Sequence, residues 1–172
     1  MMQQLLMKLS GRLPCRIISD GGRPYLERYY IGTVFGTRIY LHRFVASDPD
    51  RGLHDHPWRW AFSLILCGWY YEENRYGMRK VRWFNWLTGD SFHRVILFGP
   101  SSGDLLDYET PTQVWTLFFH RAERAKPWGF LRDKGQLGTV YTQHHYSTDD
   151  AGKDECWWKI ARHGNDTEGR QT

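Results

Sequence analysis

Apolar and aromatic residues along the chain fall in short runs, broken at roughly ten-residue intervals by Gly, Pro, Asp, Asn and Ser. Runs of this length with alternating character, bounded by turn residues, predict strands rather than helices. The pattern places strands over 15–19, 25–34, 37–45, 62–73, 78–87, 92–98, 105–108 and 114–120. Phe35-Gly36 reads as a tight turn, and 47–52 and 99–103 read as loops. Residues 1–10 read as a short helix or a disordered start. After Gly129 the strand signal weakens. Residues 147–155 look like an exposed acidic loop, and 156–162 like a short element packed through Trp157 and Trp158. Residues 165–172 look disordered. There is no internal repeat and no sign of a second domain. The expected layout is an N-terminal segment (1–24), one β-barrel (25–131) and a C-terminal extension (132–172), partly packed and partly disordered. Many short strands of even spacing argue for an all-β sandwich or jelly roll.

Composition supports that reading. Aromatics make up 16% of 172 residues, a bias that β-structure accommodates well. The formal net charge of +4 is spread along the chain. The basic groups at 79–82 and 121–126 are too short to indicate nucleic-acid binding. Three cysteines, odd in number and far apart, argue against a disulfide scaffold or a zinc ribbon and for a reducing compartment. The first nine residues are too short and too polar for a secretory signal, and no apolar run reaches membrane-spanning length. A cytoplasmic location is expected.

The chemistry concentrates at His54-Asp55-His56-Pro57-Trp58. In an extended chain residues i and i+2 share a face, so His54 and His56 aim at one point while Asp55 points away. A third imidazole is His93, which follows a Gly89-Asp90 turn. That turn suggests a hairpin of 78–87 with 92–98, with His93 at the start of the returning strand. Three neutral imidazoles suit Fe, Zn, Ni, Mn or Cu, and three protein ligands leave positions open for water or substrate.

These residues resemble the cupin superfamily. Its first motif has two histidines separated by one residue, a glutamate five residues after the second, and a glycine twelve residues after it; here stand His54, His56, Ala61 and Gly68. Thr88-Gly89-Asp90 and His93 look like a degenerate second motif, with Arg82 where a glycine is usual. Over roughly 25–131 the chain is similar to small cupin-like proteins of phages and bacteria, through phrases such as YLERYYI, SLILCGWYYEE and FHRVIL.

The resemblance implies a jelly-roll (double-stranded β-helix) barrel and a divalent transition metal, iron foremost, on His54, His56 and His93. With Ala61 in the glutamate position, an ion there keeps its full charge and favours an anionic or chelating ligand. The expected function is an oxygenase-like enzyme acting on a small polar or anionic substrate. The alternatives are an isomerase or lyase of sugar-like substrates, and a non-catalytic barrel serving as a ligand-binding or assembly protein. Arg59, flanked by tryptophans, Arg82 and His42 are candidate substrate contacts. Asp90, Glu72 and Glu73 are candidates for a supplementary carboxylate. A homodimer is expected, in the cytoplasm, or in the host cytoplasm for a phage-encoded chain.

Overall fold

The computed structural model describes residues 1–97, 113–144 and 156–171. Among these, one helix, α1 (Met2–Ser10), precedes twelve strands. The first six are β1 (Cys15–Asp20), β2 (Arg23–Val34), β3 (Thr37–Phe44), β4 (Leu53–His54), β5 (Trp60–Cys67) and β6 (Tyr70–Asn74). The others are β7 (Gly77–Val81), β8 (Phe84–Thr88), β9 (His93–Ile96), β10 (Val114–Arg121), β11 (Gly129–Asp133) and β12 (Thr139–Gln143). They form two antiparallel six-stranded sheets, in the orders β1-β2-β3-β10-β5-β8 and β12-β11-β4-β9-β6-β7. This is the expected all-β jelly roll.

The β2–β3 hairpin closes at Val34 and Thr37. Phe35 (φ 47°) and Gly36 (φ 69°) between them both take left-handed backbone, the two-residue turn whose twist matches that of paired strands. Elsewhere the local signals misled. The single strand expected over 62–73 is two strands, β5 and β6, in different sheets. Gly68 at φ 84° makes the break, a conformation open to a residue without Cβ. The run 78–87 likewise divides at Arg82-Trp83 into β7 and β8. The expected hairpin of 78–87 with 92–98 does not form. β8 pairs with β5, whereas β9 pairs with β4 and β6, so the turn after Thr88 carries the chain from one sheet to the other. The weak signal after Gly129 hid β11 and β12, which complete the second sheet. The strand expected at 105–108, the loop at 99–103 and the loop at 147–155 lie outside the described residues.

Between the sheets, Leu26, Phe44, Ile65, Tyr70, Val81, Val95, Leu97 and Val114 form an apolar core toward one end of the barrel. Part of the outer face of the first sheet is also covered. Leu6 of α1 packs there with Cys15, Tyr29, Leu41 and Trp115. Residues 165–171 are placed rather than disordered. Arg170 donates to Tyr29 Oη (3.1 Å), the Met7 carbonyl (2.7 Å) and Ser10 Oγ (2.8 Å). The Gln171 amide donates to buried Glu27 (2.7 Å), which also accepts from Tyr29 and pairs with Arg43. A polar segment reads as disordered because it lacks apolar side chains; this one is held by hydrogen bonds to buried acceptors. Trp157 and Trp158 pack on the barrel as expected, through a 3-10 turn at Trp157–Lys159.

Candidate metal centre

His54 ends β4 and stands directly opposite His93 of β9, so both side chains leave the second sheet on the same face. His56, two residues further on, joins them. Ring centroids lie 4.8 Å (His54–His93), 5.2 Å (His54–His56) and 5.1 Å (His56–His93) apart. The Nε2 atoms of His56 and His93 approach to 2.9 Å, and one nitrogen from each of the three rings falls within 4.8 Å of the others. Asp55 points the other way, as the alternation demands. It is fully buried, accepting from the Gly129 amide (2.6 Å) and from Lys126 Nζ (2.7 Å). Gly129 is confined in turn, because a Cβ there would stand 2.3 Å from the Thr142 carbonyl oxygen.

One carboxylate reaches the centre from behind. Glu72 Oε1 lies 2.9 Å from His93 Nδ1, while Arg79 donates to Oε2 (2.6 Å) and Asn85 donates to Oε1. Burial opposes the Glu72 charge, but the bonds from His93, Asn85 and Arg79 together outweigh it and hold the acid down at about 2. An ionised Glu72 only accepts, so His93 carries its proton on Nδ1 and turns the Nε2 lone pair toward His56. Glu73 and Asp90, the other candidate carboxylates, are engaged elsewhere, with Arg94 and Lys126 respectively. Ala61 is buried among Tyr40, Leu87, Phe118 and Trp157 and supplies no ligand.

The triad forms part of the wall of a cavity of about 550 Å³, a volume typical of small-molecule sites. The opposite wall is the inner face of the first sheet, with Arg28 from β2, Arg38, Tyr40 and His42 from β3, and Phe118 and His120 from β10. Of the candidate substrate contacts, His42 lines the cavity. Arg59 and Arg82 do not. Both are exposed and neither lines the cavity; Arg82 lies over Trp83. Closeness in sequence to the motif strands does not bring them to the cavity: Arg59 precedes β5 and Arg82 sits at the β7–β8 break. Arg28 and His120 are the residues that sequence reading missed. The available signal was alternation: Leu26, Arg28 and Tyr30 share one face of β2, and Phe118 and His120 share one face of β10.

Burial, first of all, keeps these histidines uncharged. His54 and His56 are held well below the usual imidazole range by desolvation and then by neighbouring His93. His42 is lowered by burial and by Arg28, whose Nε donates to His42 Nε2 (3.1 Å). His120 is pushed down to about 3 by burial, which outweighs the opposing bond to the Arg121 carbonyl; repulsion from Arg28 and Arg38 adds to the lowering. Neutral imidazoles are the form that binds metal.

The triad suits a divalent transition ion. Two nitrogens each about 2.1 Å from one ion stand at most about 4.2 Å apart. The widest separation here, 4.8 Å, exceeds that by about half an ångström, within reach of small ring rotations.

No protein-family model matches the sequence. No curated protein matches it. Solved structures do resemble the fold. A cupin-2 domain protein, Rru_A2000 from Rhodospirillum rubrum, superposes with a TM-score of 0.51 at 12% identity, over 73% of this chain and 79% of that one. A cupin 2 conserved barrel domain protein from Rhodopseudomonas palustris does so with a TM-score of 0.50 at 10% identity, over 70% and 78%.

Proposed function

Because the chain has the cupin fold, we propose that it is a metal-dependent, oxygenase-like enzyme acting on a small polar or anionic molecule. The observation that carries this reading is the convergence of His54, His56 and His93 on one wall of a cavity sized for a small molecule, with Glu72 fixing the tautomer of His93. A divalent ion on the triad would supply Lewis-acid chemistry, or, as iron, one-electron chemistry with dioxygen and substrate at its open positions. The protein's own groups do the rest. Glu72 holds a proton at His93 Nδ1, and burial keeps His54 and His56 unprotonated. Trp58, Phe118 and Trp157 narrow the space available to water.

The open cavity, lined by Arg, His and Tyr, supports catalysis over a barrel with a purely structural role. Tyr40 is kept protonated chiefly by burial and lies in that cavity, which favours an isomerase or lyase as the second reading: it is a proton donor in reach of a bound ligand. The three free cysteines support a reducing, cytoplasmic setting. Among the described residues no helix is long and apolar enough to cross a membrane.

The test is elemental analysis of protein purified without a histidine tag, beside a His54→Ala/His56→Ala variant, followed by dioxygen uptake with candidate acids. Near-stoichiometric iron in the parent, lost in the variant, is the expected result. Zinc or nickel in its place would turn the assay to isomerisation and lysis. A parent that binds no metal even after reconstitution overturns the enzyme reading.

A further inference from the structure

The wall facing the triad carries two further imidazoles. His42 of β3 and His120 of β10 line the cavity, and only 3% and 1% of their surfaces are exposed. Burial, before any other cause, keeps both uncharged. A neutral imidazole has one N–H donor and one acceptor nitrogen, and the partner of either nitrogen decides which is which.

Here both tautomers are set by groups of a single polarity. Arg28 can only donate, and its Nε stands 3.1 Å from His42 Nε2. His42 Nε2 therefore accepts, and the ring proton sits on Nδ1. A carbonyl can only accept, and that of Arg121 lies 2.6 Å from His120 Nδ1. His120 therefore donates from Nδ1 and keeps a bare lone pair on Nε2. Among the described residues, His42 Nδ1 and His120 Nε2 have no hydrogen-bond partner. Neither atom is sealed within the protein: the described side-chain atoms that are buried and unpaired are Arg51 Nε, Trp115 Nε1 and Thr116 Oγ1. Both nitrogens therefore reach open space, and the space beside these rings is the cavity. The two rings leave one donor and one acceptor, both uncharged. They do not make a second metal site, because Arg28 already occupies the His42 lone pair.

Both rings are also held in plane. His42 stacks on Phe118 (4.7 Å, 20°) and His120 on Trp58 (3.5 Å, 21°). The paired Tyr40 and Phe118 stand between them in the register of β3 and β10. The Tyr40 ring centroid lies 6.0 Å from that of His42 and 5.5 Å from that of His120. The two rows are about 7 Å apart along the strands, so separate groups of a ligand meet the two positions.

We propose that His42 and His120 form a hydroxyl-recognising subsite, which takes two hydroxyl groups of a small polyhydroxylated substrate whose other end faces His54, His56 and His93. A hydroxyl both gives and takes a hydrogen bond, so its oxygen satisfies the Nδ1 proton and its hydrogen satisfies the Nε2 lone pair. A carboxylate satisfies only His42 and an ammonium only His120, and neither finds a compensating charge on a neutral ring. This deepens the metal-enzyme reading, on which the part of the statement that names the triad rests.

Calorimetry tests the subsite on metal-free protein, and again with zinc(II) added. The probes are erythritol beside the butanediol with hydroxyls at its two ends only, tartrate beside succinate, and putrescine. Each pair differs by its inner hydroxyls. A hydrogen bond between neutral groups is worth about tenfold in affinity, so erythritol or tartrate should bind about tenfold or more tightly than its partner. That preference should fall to about threefold or less in His42→Phe and in His120→Phe. His120→Gln keeps an acceptor and should retain part of it, and exposed Arg82→Gln should retain it all. The preference in a parent that takes up no metal leaves the subsite standing and the enzyme reading fallen; metal uptake without the preference does the reverse. Equal binding within each pair, no binding of any probe by folded parent, or a preference unchanged in both phenylalanine variants overturns the subsite. Tightest binding by succinate or putrescine would mean that the wall selects charge, and overturns it as well. Circular dichroism establishes that each variant is folded. If His42→Phe fails to fold, because Arg28 loses an acceptor, His120→Phe and His120→Gln still decide.

Discussion

Glu72 and His93 are joined through Oε1 and Nδ1 at 2.9 Å, with Glu72 itself clamped by Arg79 and Asn85. The carboxylate therefore sits behind the imidazole and orients the ring. Partners of this kind are worth about 10–100-fold in metal affinity. Glu72→Ala should weaken metal binding by about that factor, measured by competition with a chelator of known affinity. Glu72→Gln keeps an acceptor for the Nδ1 proton and should lose less. Equal affinity in Glu72→Ala and the parent would remove Glu72 from the account of the centre.

The other face of the histidine motif makes a separate prediction. Asp55 is buried and binds the Gly129 amide and Lys126, tying the motif to β11. Lys126 is partly exposed, so the Lys126 pair is screened by water and contributes little. The Gly129 amide has no such relief. Asp55→Ala should cost about 1–3 kcal/mol, the penalty for leaving a buried donor unpaired. Urea denaturation of the metal-free protein would show this as a lower midpoint at unchanged slope. A midpoint within error of the parent would mean that water replaces the carboxylate.

The triad was legible in the sequence because the spacing of His54 and His56 carries its own geometry: two residues apart on an extended chain means one face. His93 is legible only in part: the Gly-Asp pair before it marks a reversal of the chain and does not say which sheet receives the next strand. Hence the expected hairpin, where the structure has a crossover between sheets. Arg28 and His120 stayed hidden because β2, β3 and β10 are covered on both faces, the outer one by α1 and the tail. Strands buried on both sides show weak alternation, so the cavity-facing set does not stand out. Ranking arginines by closeness to the motif then favoured Arg59 and Arg82, which the fold leaves at the surface.

His120 gives the barrel an acid-sensitive stability. Its folded-state acidity is lowered to about 3 by burial, then by Arg28 and Arg38, whereas in the unfolded chain it titrates near the ordinary imidazole value. Below about pH 6.5 the unfolded state takes up a proton that the folded state refuses, so stability is complete above that pH and falls as pH drops. At pH 5 this one residue should cost about 2 kcal/mol relative to pH 7.5. His42, His54 and His56 are lowered in the same direction and steepen the slope. Comparing urea midpoints of metal-free parent and His120→Gln at the two pH values isolates the contribution. The variant should lose about 2 kcal/mol less on acidification. An identical loss in both proteins would place the acid sensitivity elsewhere.

The outer face of the first sheet supports the expected homodimer. Among the described residues β8 is an edge strand, paired on one side only, and it carries Phe84 (62% exposed) and Trp86 (56%) outward. Trp86 stacks on Trp60 of β5 at 5.5 Å, and Phe62 bridges to Phe84 and to Phe119 of β10 at 6.1 and 6.0 Å. An aromatic face continuous with an open strand edge invites pairing with another chain. A second copy satisfies it most simply, since two antiparallel β8 strands related by a two-fold axis are self-complementary. Light scattering should give twice the chain mass for the parent, and the single-chain mass for Trp86→Glu and for Phe84→Glu with the fold retained. Because both side chains point away from the cavity, metal content should be unchanged in either variant. A parent that runs as a monomer at about 100 μM, weaker than interfaces of standard size usually allow, would leave this face to some other partner.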